Sequence, residues 1–460
     1  MLSTEDDQGW LPHVRPGATP IYQQILDAIT AAVETGTLRA GERLPPQRLV
    51  AARLGVDLTT VTRAYTAARK SNLLVAIPGR GTFVASQENR LTPPLDLSMN
   101  IPPAPKDMRL GELIETGVSD ILRRSNVEQL MSYHSGPGAL ADRSAGAAWL
   151  EPVLGRLEPD RVVIMAGAQA ALAAILSVET GAGDAVLTDE LTYPGMVQLA
   201  RQMGLRLVGV AGDEHGMAPA ALEEACLREE ARLVYLTPTM HNPTAVTMPP
   251  ARRQALAEAI RRAGLRLIED DPYAVLATHP LAAIAALVPD AAYHISTVSK
   301  CLTPGLRCAF VVPPSTDSGE ALAQAGRALV QMPAPMMVAL LTLWIRNGMA
   351  MALRDGVRAE ARERQSLARR ILPAGGSAQP EGLHVWQPLP DHWSAAELIA
   401  AAGRQGLGII GADAFHVSGP EPRMVRISLG AISQRAQLEQ ALQTLAQVFQ
   451  TEADTEAATS

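Results

Sequence analysis

A small module of three helices and a β-hairpin, followed by a much larger α/β domain on a mainly parallel sheet, is the fold class this sequence predicts. Two patterns predict it. Over residues 20–85 apolar side chains recur at helical spacing and then give way to a short strand pair. From residue 96 onward, apolar strand-like runs alternate with alanine-rich amphipathic stretches, the mark of a sheet covered on both faces. The bulk numbers agree: 460 residues are 47% hydrophobic and 19% charged, which excludes disorder and coiled coil and implies two to four domains.

In the N-terminal module, Thr19-Pro20 reads as a cap with proline at the first helical position. Ile21, Ile25, Ile29 and Val33 then repeat until Gly36 breaks the pattern. A short second helix fits residues 47–54, with Leu49 and Leu54 turned to the core. Gly55-Val56 makes a turn, and Asp57 caps a third helix running to about Ser71 that buries Val61, Ala64, Tyr65 and Ala68. Helix, turn, helix is the arrangement whose second helix enters a DNA major groove. Residues 73–77 and 82–85 read as strands around Pro78-Gly79-Arg80-Gly81, a wing whose tip can approach phosphates closely. Charge points the same way. Residues 8–85 hold nine Lys/Arg against four Asp/Glu in a chain of net charge -7, so this module suits a polyanion.

These residues resemble the GntR family of winged-helix regulators. The likeness runs through residues 36–45 (GTLRAGERLP), Arg48-Leu49, Leu54-Gly55-Val56, Thr60-Val61, Ala64-Tyr65 and residues 79–84 (GRGTFV). It implies a DNA-binding domain over residues 12–85, with Arg48, Thr59, Thr60 and Gly79 at the double-stranded DNA operator and Arg80 beside them on the wing. Two positions depart from the family: Pro46 stands where Ser or Ala is common, and Leu58 where Arg is common. The base-readout pattern therefore does not carry over, and Thr62 and Arg63 are expected to compensate through phosphate contact.

Residues 86–94 are polar and read as a linker. Beyond them, residues 161–165, 185–188, 205–210, 233–237, 265–269, 293–298 and 308–312 read as strands, and ligands of such sheets gather at the carboxyl ends. There is no Walker A sequence and no GxGxxG. The longest apolar stretch, residues 332–345, is too short and too broken by proline to span a bilayer. The acidic start is unlike a secretory signal, three cysteines make no disulfide framework, and nine histidines show no metal-ligand spacing. A soluble, cytoplasmic chain without a metal site is expected, with a frayed tail over residues 451–460.

Five strand-end motifs carry the chemistry: residues 165–170 (MAGAQA), His241-Asn242-Pro243-Thr244, residues 268–273 (IEDDPY), residues 296–300 (STVSK) leading to Arg307, and residues 425–430 (VRISLG). Only three of the 40 basic residues are lysine: Lys70, Lys106 and Lys300. A primary amine can condense with an aldehyde and a guanidinium cannot. Lys300, between an apolar strand and a Pro-Gly turn, therefore fits Schiff-base chemistry. With an aspartate available to pair with a pyridinium nitrogen, the arrangement is the one expected for pyridoxal 5'-phosphate.

The ordered motifs resemble the fold type I, aspartate-aminotransferase-like enzymes over residues 95–450. That implies a large sheet domain and a smaller C-terminal α/β subdomain at roughly residues 340–450. It implies that Lys300 forms the internal aldimine, that Asp270 keeps the pyridine nitrogen protonated, and that Asn242 and Tyr273 bind the ring's phenolic oxygen. Tyr193 would stack on the ring, while Ala168, Gln169, Thr297, Ser299 and Arg307 would cradle the phosphate. Tyr133, in residues 132–138 (SYHSGPG), would reach the partner subunit's site, and Arg426 would clamp a substrate carboxylate. A GntR winged helix fused to such a domain resembles the MocR subfamily of regulators. This implies a head-to-tail homodimer that uses pyridoxal phosphate, or its adduct with an amine or amino acid, as effector. The alternative is a working aminotransferase that carries a DNA-binding module.

Overall fold

The computed structural model describes residues 10–12, 14, 20–39, 41–70, 73–77, 81–84, 95–134 and 136–451. The chain divides into two compact units, Met1–Pro94 and Leu95–Ser460.

The first unit contains α1 (Ile21–Glu34), α2 (Gln47–Leu54), α3 (Leu58–Lys70) and an antiparallel hairpin of β1 (Leu74–Ile77) and β2 (Gly81–Val84). Ile25, Ile29, Val33, Val50, Val61, Tyr65, Leu74 and Val84 share one core. Each such side chain, fully buried, stabilises the module by about 1.5–3 kcal/mol. The Tyr65 hydroxyl escapes the cost of burial by donating to the Pro45 carbonyl at 3.0 Å. Gly55 ends α2 in the left-handed region, at φ 64°, where other side chains are strained. Asp57 Oδ1 accepts from the Thr59 amide at 2.7 Å, capping α3.

Three local expectations need correction. Pro20 occupies the N-cap and α1 begins at Ile21, one place later than expected; Thr19 lies outside the described residues. Leu49 is 44% exposed, and Val50 and Ala51 face the core instead. On so short a helix, one residue of offset rotates the buried face by about 100°. The second wing strand, Gly81–Val84, begins one residue earlier than expected, and Ala85 lies outside the described residues. Gly79, Arg80, the linker 86–94 and tail residues 452–460 also lie outside the described residues.

The second unit is organised on seven strands: β3 (Val163–Met165), β4 (Ala185–Asp189), β5 (Arg206–Val210), β6 (Leu233–Leu236), β7 (Arg266–Asp270), β8 (Ala292–Thr297) and β9 (Ala309–Val312), in the order β3-β9-β8-β7-β6-β4-β5. All neighbours pair in parallel except β9, which is antiparallel to β8 and β3. Strand alternation divides the core between the faces. Val234, Leu236 and Leu267 join one cluster, and Leu233, Tyr235 and Ile268 join the other. Helix α4 (Ala168–Glu179) packs Leu172, Ile175 and Leu176 on the Tyr235 side.

A second, antiparallel sheet of β10 (His384–Pro388), β11 (Ile410–Gly411) and β12 (Met424–Ser428) shares a separate core with Leu367, Leu438 and Leu442. The apolar stretch 332–345 contributes a helix, Pro335–Arg346, that buries Leu340, Leu341 and Trp344. Among the described residues no single helix is long and apolar enough to cross a membrane; that helix and the next are bent by 85°.

Candidate functional site

The carboxyl ends of β6, β7 and β8 open into a cavity of about 350 Å³. Asp270 ends β7 and is buried. Tyr235 lies on the adjacent β6 opposite Ile268, so the pleat puts it on the same face as Asp270, and its hydroxyl donates to Asp270 Oδ2 at 2.9 Å. Burial raises the Asp270 carboxyl to about 6; the Tyr235 bond opposes this, and the neighbouring Asp271 adds to it. Asp270 Oδ1 is buried with no partner among the described residues. Asp271 instead braces the turn, accepting from Thr239 Oγ1 at 2.5 Å and from the Ala274 amide at 2.9 Å.

Lys300 lines the same cavity, and its Nζ donates to the Asn100 carbonyl. Burial, reinforced by the like charge of Arg426 and opposed by Asp270, pulls the Lys300 amine down to about 8. Arg426 projects from β12 into the cavity. Its Nη1 donates to Asn242 Oδ1 at 2.7 Å, its Nη2 donates to the Ser98 carbonyl, and its guanidinium lies 5.0 Å from the centre of the Phe415 ring. Nε of Arg426 is buried without a partner among the described residues. Burial lowers this guanidinium to about 10, so it remains cationic at neutral pH. Tyr273 and Tyr193 also line the cavity, both phenols raised chiefly by burial.

Along the same cavity, α4 starts at Ala168, and no side chain caps its first amides. Gly167 adopts φ 90°, and a Cβ there would lie 3.0 Å from Arg307 Nη2. The glycine thus both makes the turn and lets the guanidinium approach. Thr297 and Ser299 present hydroxyls 3.0 Å apart, while Gln169 is fixed by donating from Nε2 to the Gly195 carbonyl at 2.9 Å. Open helix amides, two hydroxyls and a guanidinium suit a phosphate dianion.

Eleven sequence-predicted positions thus meet in one cavity: Lys300, Asp270, Tyr273, Asn242, Tyr193, Ala168, Gln169, Thr297, Ser299, Arg307 and Arg426. Tyr133 does not; it is 80% exposed. Four neighbours escaped the sequence reading: Ser98, Asn100, Tyr235 and His384. Asn100 Nδ2 donates to the Tyr273 hydroxyl at 2.8 Å and lies 3.2 Å from His384 Nδ1, whose ring reaches the Pro243 carbonyl through Nε2 at 3.0 Å. Burial lowers His384 to about 3, so this ring stays neutral. Tyr235 had a signal, since tyrosine is scarce here and strand periodicity puts it beside Asp270. Asn100 had none.

On the first unit, Arg48, Thr59, Thr62 and Arg63 are exposed and Thr60 is half-buried. Several are already engaged within the unit. Thr59 Oγ1 donates to Asp57 Oδ1 at 2.5 Å, Thr62 Oγ1 to Gln47 Oε1 at 2.8 Å, and the Arg63 guanidinium lies 4.1 Å from the centre of the Tyr22 ring.

Residues 93–445 match the family described as aminotransferase class I and II. The chain belongs to this family. Its first unit is a GntR-type helix-turn-helix domain, matching the bacterial regulatory proteins of the gntR family over residues 21–84. An aminotransferase class I and II domain behind a GntR domain is the MocR arrangement. Two relatives align with this chain over nearly their whole length. The uncharacterized HTH-type transcriptional regulator YdeF of Bacillus subtilis is 28% identical, covering 95% of this chain and 96% of its own. The vitamin B6 salvage pathway transcriptional repressor PtsJ of Salmonella typhimurium is 29% identical, covering 89% and 94%. Among solved structures, LysN of Thermus thermophilus, an alpha-aminoadipate aminotransferase complexed with N-(5'-phosphopyridoxyl)-L-leucine, is 25% identical. It aligns with a TM-score of 0.70 over 79% of this chain and 94% of its own.

Proposed function

We propose that this chain is a transcriptional regulator: its GntR-type domain binds an operator in double-stranded DNA, and its aminotransferase-like domain holds pyridoxal 5'-phosphate and senses the vitamer or an amino compound. One observation carries the reading. A helix-turn-helix domain shares the chain with a cavity in which Lys300, Asp270 and Arg426 converge. The long-range likeness to proteins described as transcriptional regulators supports it. A cytoplasmic head-to-tail homodimer on DNA is the assembly this reading calls for, with the exposed Tyr133 directed to the partner subunit's site.

The residues present fit the cofactor. When bound, pyridoxal phosphate supplies an aldehyde reactive toward a primary amine and a ring that withdraws electron density. Lys300, with its amine lowered to about 8, offers a neutral nitrogen at mildly alkaline pH. Asp270 Oδ1, buried and unpartnered, would accept from a protonated ring nitrogen, and Tyr235 would hold that carboxylate in place. Asn242 and Tyr273 would bind the phenolic oxygen. The first amides of α4, with Thr297, Ser299 and Arg307, would bind the phosphate. Arg426 would take a carboxylate, its unpartnered Nε completing a bidentate pair.

The test is an operator selected from a random duplex pool and titrated with protein alone, with pyridoxal phosphate, and with pyridoxal phosphate plus amino acids. The cofactor or its amine should change operator affinity. A DNA affinity indifferent to both defeats the sensor reading. The second reading, an active aminotransferase, would then stand on the intact cavity.

A further inference from the structure

Residues 95–101 open the second unit and follow the GntR-type unit directly in the chain. They are tied down at both ends. Leu95 and Asp96 pair in parallel with Leu407 and Gly408. The Leu97 amide donates to the Gly408 carbonyl at 2.8 Å, and the Leu97 carbonyl accepts from the Ser428 amide at 2.7 Å. At the far end the Ile101 carbonyl packs so close to Gly430 that a Cβ there would lie 1.7 Å from its oxygen. Asp96 Oδ1 folds the intervening turn by accepting from the Ser98 amide at 2.7 Å and from Ser98 Oγ at 2.6 Å.

Between these ties the segment lines the cavity and occupies both of its key cations: Lys300 Nζ donates to the Asn100 carbonyl, and Arg426 Nη2 donates to the Ser98 carbonyl. Asn100 is itself buried with Oδ1 unpartnered among the described residues, while Met99 between them is 57% exposed. The segment therefore spends hydrogen-bond acceptors on the donors that a ligand needs.

We propose that residues 98–100 are a specificity-determining wall of the site. A ligand whose phenolic oxygen or amine nitrogen accepts from Lys300 Nζ frees the Asn100 carbonyl, and a ligand carboxylate on Arg426 frees the Ser98 carbonyl. Only a ligand bearing both features releases the segment that leads into the DNA-binding unit. The inference rests on the regulatory reading above and deepens it by naming which ligands transmit a signal. Its physical basis is competition. A carboxylate on the Nε/Nη2 edge of Arg426 satisfies the unpartnered Nε and contends with Ser98 for Nη2, and a charged acceptor outbids a neutral carbonyl. The freed carbonyls must then find water or other donors, because a buried orphan is costly. That pressure moves the exposed turn at Met99 before the anchored ends.

Amide hydrogen exchange over residues 95–101 of the full-length protein tests this, with two probes: N-(5'-phosphopyridoxyl)-L-leucine and the matching adduct of isopentylamine, which lacks only the carboxylate. Exchange should rise by about fivefold or more with the leucine adduct, the low end of common coupling between sites, and by less than about twofold with the amine adduct. Equal exchange with both probes overturns the inference. Asp96→Ala, which loosens the turn and removes no hydrogen bond to Lys300 or Arg426, although the Asp96 charge does act on the Arg426 guanidinium, should raise exchange without ligand. It should also shift operator affinity toward the value seen with the leucine adduct; an unchanged operator affinity overturns the link to DNA. Colour on adding pyridoxal phosphate separates the two levels. A protein that stays colourless fails both readings, whereas one that colours, binds both adducts and shows flat exchange fails this inference alone.

Discussion

Tyr235→Phe removes one hydroxyl from a fully buried position and should weaken cofactor binding in a pH-dependent way. In the wild type that hydroxyl donates to Asp270 Oδ2 at 2.9 Å, stabilising the ionised carboxylate against the burial that raises it to about 6. A hydrogen bond to a charged acceptor contributes roughly 1.5–3 kcal/mol, which corresponds to about one to two pKa units. The variant's Asp270 should therefore titrate between roughly 7 and 8. At pH 7 its ionised fraction falls from about nine-tenths to between about half and about one-tenth, leaving less charge to hold a protonated ring nitrogen. A higher pKa needs a more alkaline solution to reach the same ionisation, so the affinity curve must shift upward in pH. Titration with pyridoxal phosphate from pH 6 to 9, followed by visible absorbance, reads this directly. Lys300 titrates in both proteins; because the Asp270 charge raises its amine, a less ionised Asp270 lowers the Lys300 inflection, opposite in direction to the Asp270 shift, which tells the two apart. Superimposable curves would refute the assignment of Asp270 as the ring-nitrogen partner, whereas a uniform loss at every pH would mean that Tyr235 acts only through packing.

Capture of pyridoxal phosphate requires a neutral amine. Its rate should thus climb about tenfold per pH unit below 8 and level off above it, and Arg426→Ala should move that inflection upward because a repelling cation is lost. Borohydride treatment should fix the cofactor on the Lys300 peptide; recovery on Lys70 or Lys106 by peptide mapping would sink the site. Arg426→Ala should keep the yellow colour yet lose any amino-acid response in both spectrum and operator affinity, and a retained response would place the carboxylate elsewhere. Arg48→Ala should weaken operator binding by roughly 1–3 kcal/mol with relaxed specificity if it reads a base. If it meets only phosphate, it should instead lower the salt slope by about one. Unchanged binding in both salt series would mean that the helix docks differently.

What the sequence determined by itself is local and periodic. Alternating apolar runs marked all seven strands of the main sheet, because strands covered on both faces are mostly apolar, even though the edge strand β5 is only part-buried and β7 and β8 also bury polar side chains. Helix spacing, the Asp57 cap and Gly55 marked the helix-turn-helix, although Leu49 shows how weakly eight residues define a buried face. Lysine scarcity singled out Lys300, strand-end motifs held nine companions that do share its cavity, and the aminotransferase resemblance added a tenth, Tyr193. Tertiary structure alone decided which acceptors those side chains meet. Asn100 lies 173 residues from Tyr273 and 200 from Lys300, and Ser98 lies 328 from Arg426. No periodicity reports a pairing at such separations. The contacts exist because the parallel bridge to residues 407–408 and the close approach of Ile101 to Gly430 lay this segment along the cavity. A carbonyl in that position bonds whichever buried cation lacks a partner, whatever side chain its residue carries.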